Sequence, residues 1–518
     1  LNEEQGTEYL DYSEGGKTVS SIFYMEAALN YSKTVAEKHN ISGLLVYIMR
    51  DKLNGNSGSL NQSLAFRNIG LSGRATYGYD KRYLVEFNFG YNGSERFSKN
   101  HRFGFFPSAG LAWSISNEKF FEPLKEKITN LKLRGSYGLV GNDAIGSDAE
   151  RFFYLSEMNM NDGDRGASFG VDNSYGKNGI SIKNYSNTDI SWEISYKTNL
   201  ALEFELYKKL SLIAEVFNEK RTNILMSRSF IPSSMGLSAP IKANVGEAKG
   251  SGVDLSLDYN HVINKDLWLQ ARGNFTYATS EYVIYEEPDY KEKYLSKVGY
   301  NLSQQWGYIA DRLFLDDEEV RNSPVQSFGE YGGGDIKYHD TNGDGKITEL
   351  DKVPIGYPTT PEVIYGFGAS LGYKDFDFSF FFQGSARSSF WIDPEKTAPF
   401  QNETQLLKVY ADNHWSEENR NVYALWPRLS PTVIKNNTQQ STWFMQDGSF
   451  LRLKQVEIGY TIPRKILQKI RMENLRFYLA GSNLLTFSKF KLWDVEMAGN
   501  GLGYPIQMNF SAGMNISF

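Results

Sequence analysis

The chain of 518 residues has no cysteine, which removes disulfides, zinc–thiolate sites and thiol catalysis together. No run of about 20 apolar residues occurs, so helical membrane spans are excluded. Proline is scarce, at 15 residues, and histidine scarcer, at five. His39, His101, His261, His339 and His414 are scattered, and no HExxH, GxSxG or phosphate-binding loop accompanies them. The expectation is therefore a protein that is not an enzyme. A net charge of -6 with no basic face argues against nucleic acid as a partner. The chain opens on Leu1, and no charged-then-apolar leader follows. That fits a chain whose leader has been removed, or a fragment of something longer.

What is abundant is aromatic. There are 33 Tyr and 34 Phe, with 47 Gly, a mixture that suits many strands joined by turns. Strict alternation carries the argument further. Tyr83, Val85, Phe87, Phe89 and Tyr91 share one face, with Leu84, Glu86, Asn88 and Gly90 between them. Leu200, Leu202, Phe204 and Leu206 repeat the pattern, as do Val253, Leu255, Leu257 and Tyr259, and Phe376, Phe378, Phe380 and Phe382. Period two means a strand with one apolar and one wet side. About fifteen segments fit this template: 21–35, 40–51, 67–79, 82–93, 102–115, 129–140, 194–206, 209–222, 246–261, 265–284, 362–373, 375–388, 448–462, 474–487 and 507–518. Many reach the 9–11 residues that a tilted strand needs to cross a bilayer.

Alternation alone fits a membrane barrel and a soluble sheet over a core equally well. The connections separate the two. Asp80-Lys81, Tyr207-Lys208 and Lys374-Asp375 are minimal, and those around 36–39, 262–264 and 463–473 are short. Long ones, at 52–66, 141–193, 223–245, 285–361, 389–447 and 488–506, fall between them. The connection at 116–128 is intermediate and the one at 94–101 modest. Short turns on one rim and long loops on the other mark an outer-membrane barrel. The apolar faces carry no charge, whereas Arg74, Glu86, Arg134, Glu203, Asp254, Asp258, Arg272 and Arg476 lie on the opposite faces, which in a barrel line a wet lumen. The last strand ends on Phe518 in the outward register. The fold expected is all-β, an antiparallel transmembrane β-barrel.

Several phrases then stand together: YGYDKRYLVEFNFGYNGSERF at 77–97, RFGFFPSAGLAWSISNEKFF at 102–121, LKLRGSYGLVGN at 131–142, GDIKYHDTNGDGKI at 334–347 and NLRFYLAGSNLLTFSKF at 474–490. In combination they resemble the SusC/RagA family of TonB-dependent outer-membrane transporters. The resemblance covers nearly all of the chain. It implies a nutrient importer, for an oligosaccharide or a peptide, paired with a SusD-like surface lipoprotein, and a dimer of such pairs is one assembly it admits. It also implies a plug and a TonB-contacting segment ahead of a barrel of about 22 strands. No plug-like sequence is present here. Residues 21–518 are therefore expected to be the C-terminal portion of the barrel, about 15 of about 22 strands, and residues 1–20 an extracellular loop segment. The remaining strands are expected as another chain, because open edges cannot stand unsatisfied in lipid.

One local motif is sharper than the rest. From Asp340 to Asp351, oxygen donors stand at positions 1, 3 and 5 (Asp340, Asn342, Asp344), with Gly345 at 6, a backbone carbonyl at Lys346 and an acid, Asp351, at 12. That is the order of a calcium loop of EF-hand type, with Asp where Glu is usual and no flanking helices. Structural Ca2+ and a metal-free Asp/Asn/Gly turn both stay open. The long loops also carry Trp306, Tyr308, Tyr331, Trp391, Phe400, Trp415, Trp426, Trp443 and Phe444. Such rings stack on sugars or a lid protein, or pack loop against loop, and the last is the commoner use of any single ring. Arg464 to Arg471 reads as a short basic amphipathic helix with a solvated face. Competing functions are a siderophore-class receptor, a passive porin, and a secreted all-β glycan-binding protein. Shielding of the Phe and Leu rows by a second sheet would favour the last.

Overall fold

The computed structural model describes residues 15–58, 60–146, 150–400, 405–468 and 472–518. Most of the 1–20 segment and the end of the basic 464–471 segment lie outside these residues.

Fifteen strands form one antiparallel sheet in unbroken chain order. They are β1 (Val19–Val35), β2 (His39–Gly55), β3 (Phe66–Tyr79), β4 (Tyr83–Ser94), β5 (Phe103–Ser114), β6 (Ile128–Asn142), β7 (Glu193–Leu206), β8 (Leu210–Ser227), β9 (Lys242–Asn264), β10 (Leu267–Ile284), β11 (Val363–Tyr373), β12 (Phe376–Ala386), β13 (Phe450–Thr461), β14 (Asn474–Ser488) and β15 (Asn509–Ser517). Every alternating segment of the sequence is one of these strands. Because each strand pairs with its chain neighbours, odd-to-even connections fall on one rim and even-to-odd connections on the other. The first rim holds 36–38, 80–82, 115–127, 207–209, 265–266, 374–375 and 462–473. The second holds 56–65, 95–102, 143–192, 228–241, 285–362, 387–449 and 489–508. The tightest turns all lie on the first rim and the four longest loops all on the second, with 115–127 and 462–473 the long members of the first rim and 56–65 and 95–102 the short members of the second.

The tight turns take the hand that the sheet twist demands. Ala36/Glu37, Asp80/Lys81 and Tyr207/Lys208 all have positive φ, between 49° and 59°, as a two-residue I′ hairpin turn requires. None carries the Asn-Gly or Asp-Gly that usually signals this turn, so only their length was legible beforehand. Across the strands, large outward side chains alternate with small ones. Phe87 sits between Ala75 and Ala109 in register, and Phe89 between Gly73 and Pro107. A Cβ on Gly73 would lie 2.3 Å from the Phe89 ring, so the bare backbone there is what lets the ring lie flat.

The outward faces are uncovered. Leu200 is 63 % and Phe510 76 % exposed, and Leu111, Leu133, Phe367, Phe378 and Leu479 are exposed in the same rows. Among the described residues the other sheets have only two strands each and belong to the long-loop connections. Full burial of such a side chain contributes about 1.5–3 kcal/mol, and these retain roughly half of that or more to gain, so contiguous rows of them call for hydrocarbon. Buried cores lie instead on the long-loop side. Tyr308, Ile336, Tyr338, Ile347, Phe390, Trp415, Trp426 and Phe444 of the long loops form the larger one, and Phe97, Phe153 and Trp192 with Phe106 of β5 the smaller. Neither β1 nor β15 has a second neighbour among the described strands, and β1 is exposed along its whole length.

Candidate functional site

The inner face of the sheet is a charged wall built by register. Period two puts Lys132 and Arg134 of β6 on one face, and the antiparallel ladder sets Glu203 of β7 opposite Lys132. Arg134 then bridges Glu203 at 3.0 Å and Glu215 of β8 at 2.6 Å, while Lys132 reaches Glu203 at 3.4 Å. Arg476 of β14 makes a second cluster with Asp377 at 2.5 Å and Glu457 at 2.6 Å. Arg74 pairs with Glu86 at 2.6 Å, and Thr276 donates to Asp254 at 2.6 Å. These pairs are half-exposed, so each contributes only about 0–1 kcal/mol to stability. Their effect is to keep a strongly polar, nearly neutral wall facing water. Asp258 and Arg272 stand opposite each other in register and line a cavity of about 610 Å³ with Gln270, Asn274, Phe381 and Gln455. Amides, a carboxylate, a guanidinium and two aromatic rings, Phe380 and Phe381, are thus brought to one cavity. The sequence placed the charges on this face correctly but gave no sign of which would pair.

Above the long-loop rim, 285–362, 387–449 and 489–508 fold into one layer with a shared core. Of the loop aromatics singled out in the sequence, Tyr308, Trp415, Trp426 and Phe444 are buried in it, and Trp306, Tyr331, Trp391 and Trp443 are partly buried. Phe400 alone of that set is exposed, at 52 %. Their main role is to pack loop on loop.

The polar ties of this layer had no signature in the sequence, because each joins residues far apart in the chain. Buried Asp335 accepts from Arg428 Nε at 2.9 Å and Asn437 Nδ2 at 2.8 Å. Burial pushes its carboxyl above the ordinary range, although both partners pull the other way. Gln326 donates to Asn436 at 2.6 Å. Arg452, almost wholly buried at the start of β13, meets Asp494 at 2.6 Å and Glu496 at 2.8 Å. Burial would raise the Glu319 carboxyl, but the Leu315 N–H, Lys337 and Arg312 outweigh it and hold the group at about 2. At the other end of the rim Arg151 donates to the carbonyls of Asn61, Leu64 and Ala65 and to Glu95. Its guanidinium lies 3.7 Å over the Phe66 ring. One buried side chain thus ties three loops together.

The Asp340–Asp351 loop brings its acids into one turn, and its own backbone occupies them. Asp340 accepts from the N–H groups of Gly343 at 2.8 Å and Gly345 at 2.7 Å. Asn342 Oδ1 accepts from Asp344 N at 2.9 Å, and Asp344 Oδ1 from Lys346 N at 2.8 Å. Asp351, fully buried, accepts from Thr341 and Thr348. Gly343 and Gly345 take the left-handed conformation, φ 74° and 80°. Among the described residues no group of three or more His, Asp or Glu side chains has the arrangement of a metal cage. The turn also inserts Ile347 into the core while Lys346–Ile347 pairs with Val325–Gln326.

Comparison with known proteins agrees with this architecture. The profile of the family described as TonB dependent receptor-like, beta-barrel, matches residues 5–484. TonB-dependent receptor P3 of Formosa agariphila is 28 % identical over 479 residues, which is 87 % of this chain and 45 % of that protein. TonB-dependent receptor SusC of Bacteroides thetaiotaomicron is 26 % identical over 459 residues, 86 % of this chain and 43 % of SusC. The chain thus spans about half the length of the curated relatives it matches. Among solved structures, the RagAB peptide transporter superposes with a TM-score of 0.70 at 22 % identity, over 97 % of this chain and 56 % of that one. The chain belongs to the TonB-dependent receptor β-barrel family of the bacterial outer membrane, as the SusC/RagA-like phrases of its sequence implied.

Proposed function

We propose that this chain supplies much of the barrel wall and the substrate-side loop layer of a TonB-dependent importer of an oligosaccharide or a peptide. The observation that carries this reading is the two-sided sheet, with apolar rows outside and paired charges inside, topped on one rim by loops with a core of their own. A porin's loops need no shared core of this size. A capture layer does, because it must hold its shape while ligand binds above the lumen. The free edges of β1 and β15 call for the remaining strands of the same transporter, with a plug and the segment that meets the TonB complex. A SusD-like lipoprotein is the partner proposed over the loop layer, and a dimer of such pairs is the assembly. We propose no catalytic role. Calcium at Asp340, Asn342, Asp344, Lys346 and Asp351 is proposed as a structural ligand of the loop layer.

The test is uptake by the full-length protein in its own cell. Deletion of the gene should abolish TonB-dependent uptake of one defined oligosaccharide or peptide pool, and a lipoprotein should co-purify in mild detergent. Binding of a ferric siderophore, or conductance without TonB, would replace this reading with a receptor or a porin.

A further inference from the structure

The connection at 115–127 is the long exception among the first-rim turns nearest to it, and it folds outward. Two 3-10 turns, Ile115–Asn117 and Lys119–Leu124, make it up. Tyr83 of β4 and Trp113 of β5 are register partners on the outer face, both exposed. Trp113 holds Glu118, whose carboxylate accepts from Trp113 Nε1 at 3.1 Å and from Arg82 at 3.1 Å. An acid held by an outward-facing ring lies against the outside of the wall, not over the lumen. Asn117 fixes the same elbow by donating to the Lys81 carbonyl at 2.8 Å.

The elbow then turns its apolar side chains away from the protein. Phe121 is buried, yet Phe120 is 66 % and Leu124 48 % exposed. Lys119, Lys125 and Lys127 are exposed in the same stretch, as are Glu122 and Glu126. A large exposed ring and an exposed Leu, a few residues along the chain from the Glu118 that outward-facing Trp113 holds and flanked by long cationic stems, have the composition of a segment lying in a membrane interface. The near balance of charge means that apolar insertion, not attraction to anionic lipid, would hold it there.

We propose that residues 115–127 form a foot in the headgroup layer of the inner, short-turn side of the outer membrane. Phe120 and Leu124 lie below the phosphates, and Lys119, Lys125 and Lys127 lie at their level. The foot sets the depth and tilt of the barrel at the strands that carry the Arg134 cluster. This rests on the membrane-barrel reading. The test separates the two by placing single cysteines in the full-length protein at Phe120, Leu124, Leu111 and Val171, each labelled with an environment-sensitive dye. Leu111 lies in the apolar belt and Val171 is fully exposed in a long loop. In phosphatidylethanolamine/phosphatidylcholine vesicles, dyes at Phe120 and Leu124 should shift to the blue, lose quenching by aqueous iodide and be quenched by headgroup-level nitroxide lipid. High salt should leave this unchanged. If both behave like Val171 while Leu111 remains lipid-quenched, the foot is wrong and the barrel stands. If only one of them inserts, the foot as drawn is likewise wrong. Iodide quenching at Leu111 as well would overturn the barrel reading itself.

Discussion

Arg428 Nε donates to Oδ1 of fully buried Asp335 at 2.9 Å, across 93 residues of chain, and so locks the 285–362 loop to the 387–449 loop. Asn437 holds the same oxygen. Removing the guanidinium leaves a buried carboxylate with its amide partners alone. Because Arg428 is itself partly exposed and the amide partners remain, Arg428→Ala should destabilise the loop layer by roughly 1–3 kcal/mol, and the strands should not notice. Hydrogen exchange should show faster exchange over 330–340 and 425–440. The heat-shifted electrophoretic migration of the folded barrel should be unchanged. Loss of the barrel itself would mean that the layer and the wall fold as one unit.

Glu319 gives the layer a defined acid limit. Its folded-state value of about 2 lies below the ordinary carboxylate range, because the Leu315 N–H, Lys337 and Arg312 prevail over burial. A depressed carboxylate stabilises the fold above its unfolded value, about 4.3, and that contribution is lost as pH falls from there toward 2. Protection of the Asp317–Arg321 turn should accordingly decline below about pH 4.5. Glu319→Gln should be less stable at pH 7 and should lack this component of the decline. An unchanged acid profile in the variant would rule the cluster out as its source.

Much of the wall was legible because a membrane strand has little freedom. Lipid on one side and water on the other force period two, so Phe376, Phe378, Phe380 and Phe382 read as a strand at once, and loop lengths were needed only to say what the apolar side faces. Strand ends were less legible: β9 runs from Lys242, outside the alternating stretch, because β8 extends its ladder there through a bulge. The hairpin Glu157–Phe169/Tyr175–Asn184 was missed altogether, since Gly163, Gly166 and three register shifts break its alternation. In the site, facing charges were visible one by one, but Arg151 with Glu95 and Arg452 with Asp494 are contacts of tertiary structure that no local pattern records.

The outward rows invite a direct measurement. Leu200 lies mid-strand in β7, opposite Val216 and Gly135. Leu200→Lys puts an ammonium where hydrocarbon is proposed and should cost about 2–4 kcal/mol. Ser256→Lys, on the lumenal side beside Asp258 and Arg272, should stay within about 0.5 kcal/mol. Urea titration of the full-length protein in vesicles reads both. Equal costs would mean that the two faces meet the same solvent.

Calcium at 340–351 must compete with the loop's own N–H groups. Asp340, Asn342 and Asp344 each already accept backbone hydrogen bonds, and Asp351 at position 12 reaches less far than Glu. Those features predict weak binding, in the range of extracellular modules, about 10⁻⁴–10⁻³ M. At about a hundredfold excess over that constant, calcium would add about 2.7 kcal/mol. Melting of the loop layer in the full-length protein should then rise with calcium and not with magnesium, and chelator should reverse it. Asp344→Asn removes one charged ligand but keeps an oxygen able to accept from Lys346 N. It should fold as before and lose most of the calcium response. A wild-type protein indifferent to calcium would leave the sequence with a different purpose, a hydrogen-bonded turn whose Asp351 anchors the insertion of Ile347.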